Sequence, residues 1–140
     1  MVLGFFEKKK RDPFETGPVL VIDDSDEIRS LVMDVLTGAG YEAIGASGGR
    51  KGLELAQAEE PSLILLDINM PDWTGLQTLT EMRKVDTLRS IPVLMVTAEQ
   101  MGKDVESAFA RGAKGYVIKP IEITRFLKKV AEFVPPPHPA

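Results

Sequence analysis

Short apolar runs alternate with helix-like segments five times along the chain, and this alternation is its strongest constraint on the fold. The run Leu63-Ile64-Leu65-Leu66 is unbroken by polar residues, which is typical of a strand covered on both faces. After the first run, apolar residues recur at the spacing of one helix face, namely Ile28, Leu31, Val32, Val35 and Leu36. Such alternation predicts a parallel sheet with helices on both faces, an α/β fold.

The pattern assigns most of the chain to regular elements. Strands are predicted at 19–22, 41–46, 63–66, 93–96 and 116–118. Helices are predicted at 49–59 and 75–85, after the first strand up to Gly38, around 105–109 and around 126–131. In a sheet of this kind, ligands bind beyond the carboxyl ends of the strands.

Composition limits the possible functions. A chain of 140 residues with 44% hydrophobic residues fits one domain with its own core. The absence of cysteine excludes disulfides and thiolate metal sites. A net charge of -4 argues against direct binding of nucleic acid, and no apolar run approaches a membrane span. We therefore expect a soluble, cytoplasmic protein.

The two ends differ from the middle of the chain. Residues 1–17 form an N-terminal extension with the basic cluster Lys8-Lys9-Lys10-Arg11, residues 18–134 form the folded domain, and 135–140 form a proline-rich tail. The basic cluster favours a solvated charge run. A membrane-surface or partner anchor with Leu3, Phe5 and Phe6 as its apolar contacts is the alternative.

Polar residues follow four of the five predicted strands. They are Asp23-Asp24, Asp67, Thr97 and Lys119. Each alone would be explained as a turn former, a helix cap or a surface charge. In a parallel sheet, however, all of them emerge at one edge, so the set predicts a shared site.

The chemistry of that set indicates phosphoryl transfer. Three clustered carboxylates repel one another, and a divalent cation relieves the repulsion. Because the available ligands are oxygens, Mg²⁺ is favoured. Lys119 would supply positive charge, Thr97 a hydroxyl donor, and Asp67 the nucleophile that forms an acyl phosphate.

At these residues the chain resembles the receiver domains of response regulators and is similar to the single-domain chemotaxis response regulator. The resemblance spans about 18–134 and rests on the segments 21–25 (VIDDS), 67–71 (DINMP), 96–98 (VTA) and 112–120 (GAKGYVIKP). It implies a single flavodoxin-like (βα)5 domain with a five-stranded parallel sheet in the order 2-1-3-4-5.

The resemblance also implies a role for each site residue. Asp67 is the implied phosphoacceptor, paired with Lys119. Asp24, Asp67 and the backbone carbonyl of Asn69 are the implied direct Mg²⁺ ligands, and Asp23 is implied to act through water. Catalysis would extend only to the protein's own phosphorylation and dephosphorylation.

Two further pairs are implied by the resemblance. Thr97 and Tyr116 match a switch pair that changes the surface of helix 4, strand 5 and helix 5, although Tyr116 alone would pass for a half-buried strand aromatic. Asn69 and Glu99 match positions that tune attack by water, so we expect a short-lived phosphoryl group. The Lys119-Pro120 bond matches a cis position, against the general preference for trans.

The partners follow from what the chain lacks. Its one histidine is His138 in the tail, so a separate histidine kinase or histidine phosphotransfer protein is the expected donor. No DNA-binding output segment follows, so output is expected through a downstream protein. Trp73 and Thr74 depart from the smaller apolar residue and the acidic one often found there, which leaves the partner open.

Three alternatives remain at this point. A phosphatase of the haloacid dehalogenase type would want an acid where Asn69 stands. A flavodoxin-type FMN carrier would meet repulsion from the acidic first loop. A scaffold that resembles a receiver domain but binds partners without phosphorylation is the third alternative.

Overall fold

A computed structural model describes residues 16–98 and 102–136 of the chain. Within these ranges it contains the strands Val19–Ile22 (β1), Ala43–Ala46 (β2), Leu63–Asp67 (β3), Val93–Thr97 (β4) and Gly115–Ile118 (β5). The α-helices are Asp26–Gly38 (α1), Gly49–Glu59 (α2), Gly75–Arg83 (α3), Lys103–Ala110 (α4) and Ile123–Phe133 (α5). A short 3-10 turn, Asp86–Leu88, precedes β4.

The five strands form one parallel sheet in the order β2-β1-β3-β4-β5, which confirms the predicted fold. The register pairs Ile22 with Leu66, Asp67 with Val96, and Thr97 with Ile118. The strands therefore end almost level with one another. This alignment brings the polar residues at their carboxyl ends to one edge.

Each face of the sheet builds its own core. Leu20, Ile22 and Ile64 point to the face that carries α2, α3 and α4, whereas Val19 and Val21 point to the face that carries α1 and α5. Because successive strand residues face opposite sides, a strand covered twice needs apolar residues at every position. This double burial explains the unalternated runs in the sequence.

Side-chain caps fix the points at which strand-end loops become helices. The hydroxyl of Ser25 accepts a hydrogen bond from the amide of Ile28 at 3.2 Å, and the hydroxyl of Thr74 accepts one from Gln77 at 3.1 Å. Both residues satisfy amides that the first helical turn leaves without a partner. The loop before Ser25 contains Asp23 and Asp24, and the loop before Thr74 begins directly after Asp67.

Two side chains tie distant parts of the chain together. The buried Tyr41 hydroxyl donates to the carbonyl of Val134 at 2.6 Å, which joins the loop before β2 to the end of α5. The Arg83 guanidinium donates to the carbonyls of Leu88 and Arg89, and also to that of Gly112 in the α4–β5 loop at 3.1 Å.

The structure corrects several predicted boundaries. β2 begins at Ala43, two residues later than predicted, because Tyr41 turns into the core to reach Val134. β3 and β4 run one residue further and include Asp67 and Thr97. The helix predicted at 75–85 ends at Arg83, where Lys84 caps it and the chain turns toward the 3-10 segment.

The predicted buried face of α1 is too wide. Leu31 is 52% exposed, whereas Val32 and Leu36 are buried. A helix on a sheet buries a stripe, and Leu31 lies on the outer side of that stripe.

Most of the predicted extension (1–15) and tail (137–140) lies outside the described residues. In the described part of the chain, no helix combines the length and apolarity needed to cross a membrane.

We predict that two glycine-to-alanine substitutions have opposite effects on stability. A Cβ at Gly75 would lie 2.2 Å from the backbone oxygen of Asp67, so Gly75→Ala should destabilise the fold by roughly 2 kcal/mol or more. A Cβ at Gly38 meets nothing within 4 Å, so Gly38→Ala should be neutral or stabilising by up to about 1 kcal/mol. Urea unfolding measures both, and equal effects would contradict the close approach at Gly75.

Candidate functional site

Three carboxylates meet at the carboxyl edge of the sheet, as predicted. Asp23 and Asp24 follow β1, and Asp67 is the last residue of β3. Each offers an oxygen, and these oxygens lie within 4.8 Å of one another. Asp23 and Asp67 are buried, whereas Asp24 is exposed at the mouth of the cluster. We call these three residues the acidic pocket.

Lys119 lies between the two buried carboxylates. Its Nζ is 3.2 Å from Oδ2 of Asp23 and 3.4 Å from Oδ1 of Asp67. A buried carboxylate without a partner is costly, and the ammonium offsets part of that cost for both acids. Because the loop after β5 supplies this cation, the pocket depends on strands from both halves of the sheet.

Burial raises the pKa of Asp67 from 3.8 to about 6. The main cause is loss of hydration, and repulsion from Asp23 raises the pKa further. Lys119 and a backbone hydrogen bond from Asn69 lower it, but they do not cancel the first two effects. Near neutral pH the carboxyl is mostly ionised, which is the state a nucleophile or metal ligand requires.

The β1–α1 loop is held by contacts that sequence reasoning missed. The carboxylate of Asp23 accepts a hydrogen bond from the amide of Ser25 at 2.9 Å. The Arg29 guanidinium donates to the backbone carbonyl of Asp23 at 2.7 Å and also bonds the carboxylate of Asp26. Arg29 follows Asp23 by six residues on α1, and this spacing was the only signal available in the sequence.

Thr97 and Asn69 lie beside the acidic pocket. Thr97 is the buried last residue of β4, and its carbonyl accepts a hydrogen bond from the Lys119 amide at 2.8 Å. Asn69 is exposed two residues after Asp67, and its amide donates to Oδ1 of Asp67 at 3.3 Å. The backbone of Asn69, whose carbonyl is predicted to be a Mg²⁺ ligand together with Asp67, thus lies close to that carboxylate.

The other predicted features lie within β5, directly after it, or beyond the described ranges. Tyr116 is half-buried in β5 and contacts the Phe109 ring edge to face, with ring centroids 6.1 Å apart. The Lys119-Pro120 bond is cis, as the resemblance implied. Glu99 lies outside the described residues, so its predicted role stays a prediction.

Trp73 does not project as an isolated surface aromatic. Its ring is contacted by the guanidinium of Arg50, whose Cζ is 4.9 Å from the ring centroid. Arg50 also pairs with Asp72, with 3.5 Å between Nε and Oδ2. The β3–α3 loop is therefore in contact with the start of α2, a relation that the sequence did not reveal.

The donor set of the acidic pocket fits a hard divalent cation. Its ligand atoms are carboxylate oxygens, and one of the three acids is open to solvent. Mg²⁺ commonly takes one or two carboxylates and keeps several waters, which this arrangement permits. Zinc and copper favour nitrogen or sulfur ligands, which are absent from this cluster.

Fold and site together define a class: a doubly wound parallel domain with an acidic pocket and a lysine at its carboxyl edge. Residues 19–131 match the response regulator receiver domain, so the chain belongs to that family. Membership confirms the predicted family and favours it over the phosphatase and FMN-carrier alternatives. Receiver domains are generally signalling domains that interact with histidine kinases or phosphotransfer proteins.

Individual proteins support the same assignment. The chain is 34% identical over 116 residues to the polar-differentiation response regulator DivK of Brucella anthropi, covering 83% of this chain and 94% of DivK. The structure of the chemotaxis protein CheY4 of Vibrio cholerae superposes with a TM-score of 0.81 at 33% identity, covering 86% of this chain and all of that one. A CheY-like receiver domain from Methanospirillum hungatei has a TM-score of 0.78 at 27% identity, covering 84% of this chain and 93% of the other.

We predict that Asp67 makes the metal-free protein less stable as the pH rises. Its folded pKa of about 6 lies above 3.8, so the folded state binds more protons than the unfolded state between these values. The free energy of unfolding should therefore fall across that window. Asp67→Asn should remove this fall and stabilise the metal-free protein at pH 7 by roughly 1–3 kcal/mol.

Urea unfolding of both proteins from pH 4 to pH 8 measures the effect. Asp34→Asn, at an exposed position on α1, is the control and should keep the wild-type pH dependence. An Asp67→Asn protein with the wild-type slope would contradict the raised pKa.

Proposed function

We propose that this protein is a stand-alone response regulator that accepts a phosphoryl group on Asp67 from a partner histidine kinase or histidine phosphotransfer protein. The observation that carries this proposal is the contact of Lys119 with both Asp67 and Asp23 beside a solvent-open Asp24. The receiver unit would span 18–134. The proposed location is the cytoplasm, where such kinases present their phosphohistidine.

In the proposed transfer, an oxygen of the ionised Asp67 carboxylate attacks phosphorus. The phosphorus–nitrogen bond to the donor histidine breaks, and the imidazole leaves with its bonding electrons and takes a proton from solvent. Lys119 is within 3.4 Å of the acceptor and would stay with the phosphoryl oxygens as charge builds up on them. The Thr97 hydroxyl would donate a hydrogen bond to another of these oxygens.

The acidic residues would hold a magnesium ion during this step. Asp24, Asp67 and the carbonyl of Asn69 are the proposed direct ligands, and Asp23 the proposed ligand through water. Bound Mg²⁺ would neutralise the charge shared by the carboxylates and the phosphoryl group. Asn69 and Glu99 would tune the later attack of water on the acyl phosphate.

We further propose that the signal leaves through α4, β5 and α5. Thr97 moving toward the phosphoryl group would vacate space that the half-buried Tyr116 ring enters, and Phe109 would lose its edge-to-face contact. A groove of about 670 Å³ opens along this surface and is lined by five basic and two acidic side chains. The basic lining suits a downstream protein that presents an acidic segment.

The central prediction is Mg²⁺-dependent labelling of one residue. A small phosphoramidate donor should place an acid-labile, base-labile phosphoryl group on wild-type protein, at no more than one per chain. Asp67→Asn should abolish the label, and Asp24→Asn should reduce its rate at least tenfold because a metal ligand is lost. Intact-mass spectrometry and autoradiography measure both effects.

Asp34→Asn again serves as the control, since it removes a carboxylate distant from the pocket on the exposed face of α1. It should label like wild type. Absence of any label on wild type would sink the proposal and favour a phosphorylation-independent scaffold. Equal labelling of Asp67→Asn would also overturn it, because the phosphoryl group would then lie on another residue.

We also predict a short lifetime for the phosphoryl group. Asn69 is exposed beside Asp67, and a small polar side chain there leaves water access to the acyl phosphate. After removal of the donor, label should decay within minutes to tens of minutes in Mg²⁺, and Asn69→Arg should slow the decay severalfold by covering the pocket. Persistence for hours on wild type without a phosphatase would overturn this prediction.

A further inference from the structure

The β3–α3 loop, residues 69–74, is closed at its base. The amide of Gly75 donates to the carbonyl of Ile68 at 2.8 Å, so the two ends of the loop meet directly beside Asp67. Asn69 begins this loop, and Asp72 and Trp73 lie near its far end. Asn69, Asp72 and Trp73 therefore belong to one short loop whose two ends are joined by a hydrogen bond.

The start of α2 packs closely on the same loop. A Cβ at Gly49 would lie 2.9 Å from Cβ of Trp73 and 2.1 Å from the hydroxyl of Thr78. Only glycine fits at such an approach without movement of its neighbours. The next residue along α2 is Arg50, so its side chain starts from a fixed point next to the loop.

Arg50 contacts two consecutive loop residues with one guanidinium. Its Cζ lies 4.9 Å from the Trp73 ring centroid, and its Nε lies 3.5 Å from Oδ2 of Asp72. An exposed ion pair or cation–π contact alone contributes little. Here the ion pair and the cation–π contact act on one loop. That loop is already restricted by the Gly75–Ile68 hydrogen bond and by the close approach of Gly49, so few loop conformations remain for the two contacts to select from.

We propose that Arg50 is a positioning residue for the acidic pocket, acting through Trp73 and Asp72 to hold the β3–α3 loop and the Asn69 backbone beside Asp67. This inference rests on the proposed metal-binding role of Asn69. It gives Trp73 a function inside the protein: its ring is the surface against which Arg50 is held. Neither residue touches the reacting atoms.

The first test uses Trp73 as a reporter in metal-free protein, because it is the only tryptophan of the chain. Stacking of Arg50 shields one face of the ring, so Arg50→Ala should raise the acrylamide quenching constant about twofold. Arg50→Lys keeps the charge and should restore part of the shielding. Unchanged quenching in Arg50→Ala would show that the contact is absent in solution and overturn the proposal.

The second test measures Mg²⁺ affinity by isothermal titration calorimetry. If Arg50 positions the loop, Arg50→Ala should raise the dissociation constant for Mg²⁺ about threefold, with Arg50→Lys in between. If Arg50 acted only as a cation near the acidic pocket, its removal would tighten Mg²⁺ binding instead. Unchanged or tighter binding therefore refutes positioning.

A matched control separates this effect from a general loss of surface charge. Lys84→Ala removes an exposed cation from a local pair with Glu81, and its side chain is 65% exposed against 68% for Arg50. It should leave both the quenching and the Mg²⁺ affinity at wild-type values. An equal change in Lys84→Ala would overturn the proposal.

Failure of this inference is distinguishable from failure of the proposed function. Wild-type protein that takes an acid-labile label on Asp67 supports the function whatever Arg50 does. Wild-type protein that neither binds Mg²⁺ nor takes a label refutes both.

Discussion

The structure depends on burial of a parallel sheet on both of its faces. Every strand position from Leu63 to Leu66 is needed for one core or the other, so a polar side chain is tolerated only where a strand ends. The acidic pocket therefore lies at the carboxyl edge, the nearest place where carboxylates still reach water. Burial of both faces of the sheet thus determines the apolar core and also the position of the acidic pocket.

That position sets the electrostatics of the pocket. Asp67 is buried enough to lose hydration, which raises its pKa to about 6, and Lys119 keeps the cost tolerable. A cluster of this kind stores unfavourable charge in the folded state. The carboxylates and the Lys119 ammonium are therefore already close together before a divalent cation binds or a phosphoryl group is transferred.

The sequence predicted the sheet order, the strand-end residues and the cis bond because each depends on local pattern or on recognisable motifs. It could not reveal the contacts of Arg50 with Asp72 and Trp73, since these depend on how segments from different strands approach one another. The contacts of Arg29 are local, but they depend on the path of the β1–α1 loop, which the sequence pattern does not specify. Leu31 was misplaced for a related reason: spacing shows which residues share a helix side, but packing decides how wide the buried stripe is. Glu99 lies outside the described residues, so its role in tuning the attack of water stays a prediction.

The hydrogen bond from Tyr41 to Val134 has a consequence for how the chain comes apart. A terminal helix usually frays first, because its last turns have few tertiary contacts. Here α5 cannot fray from its end without exposing a buried tyrosine and losing its hydroxyl's partner. The C-terminal end of the domain should therefore exchange its amide hydrogens together with the central strands, as part of one cooperative unit.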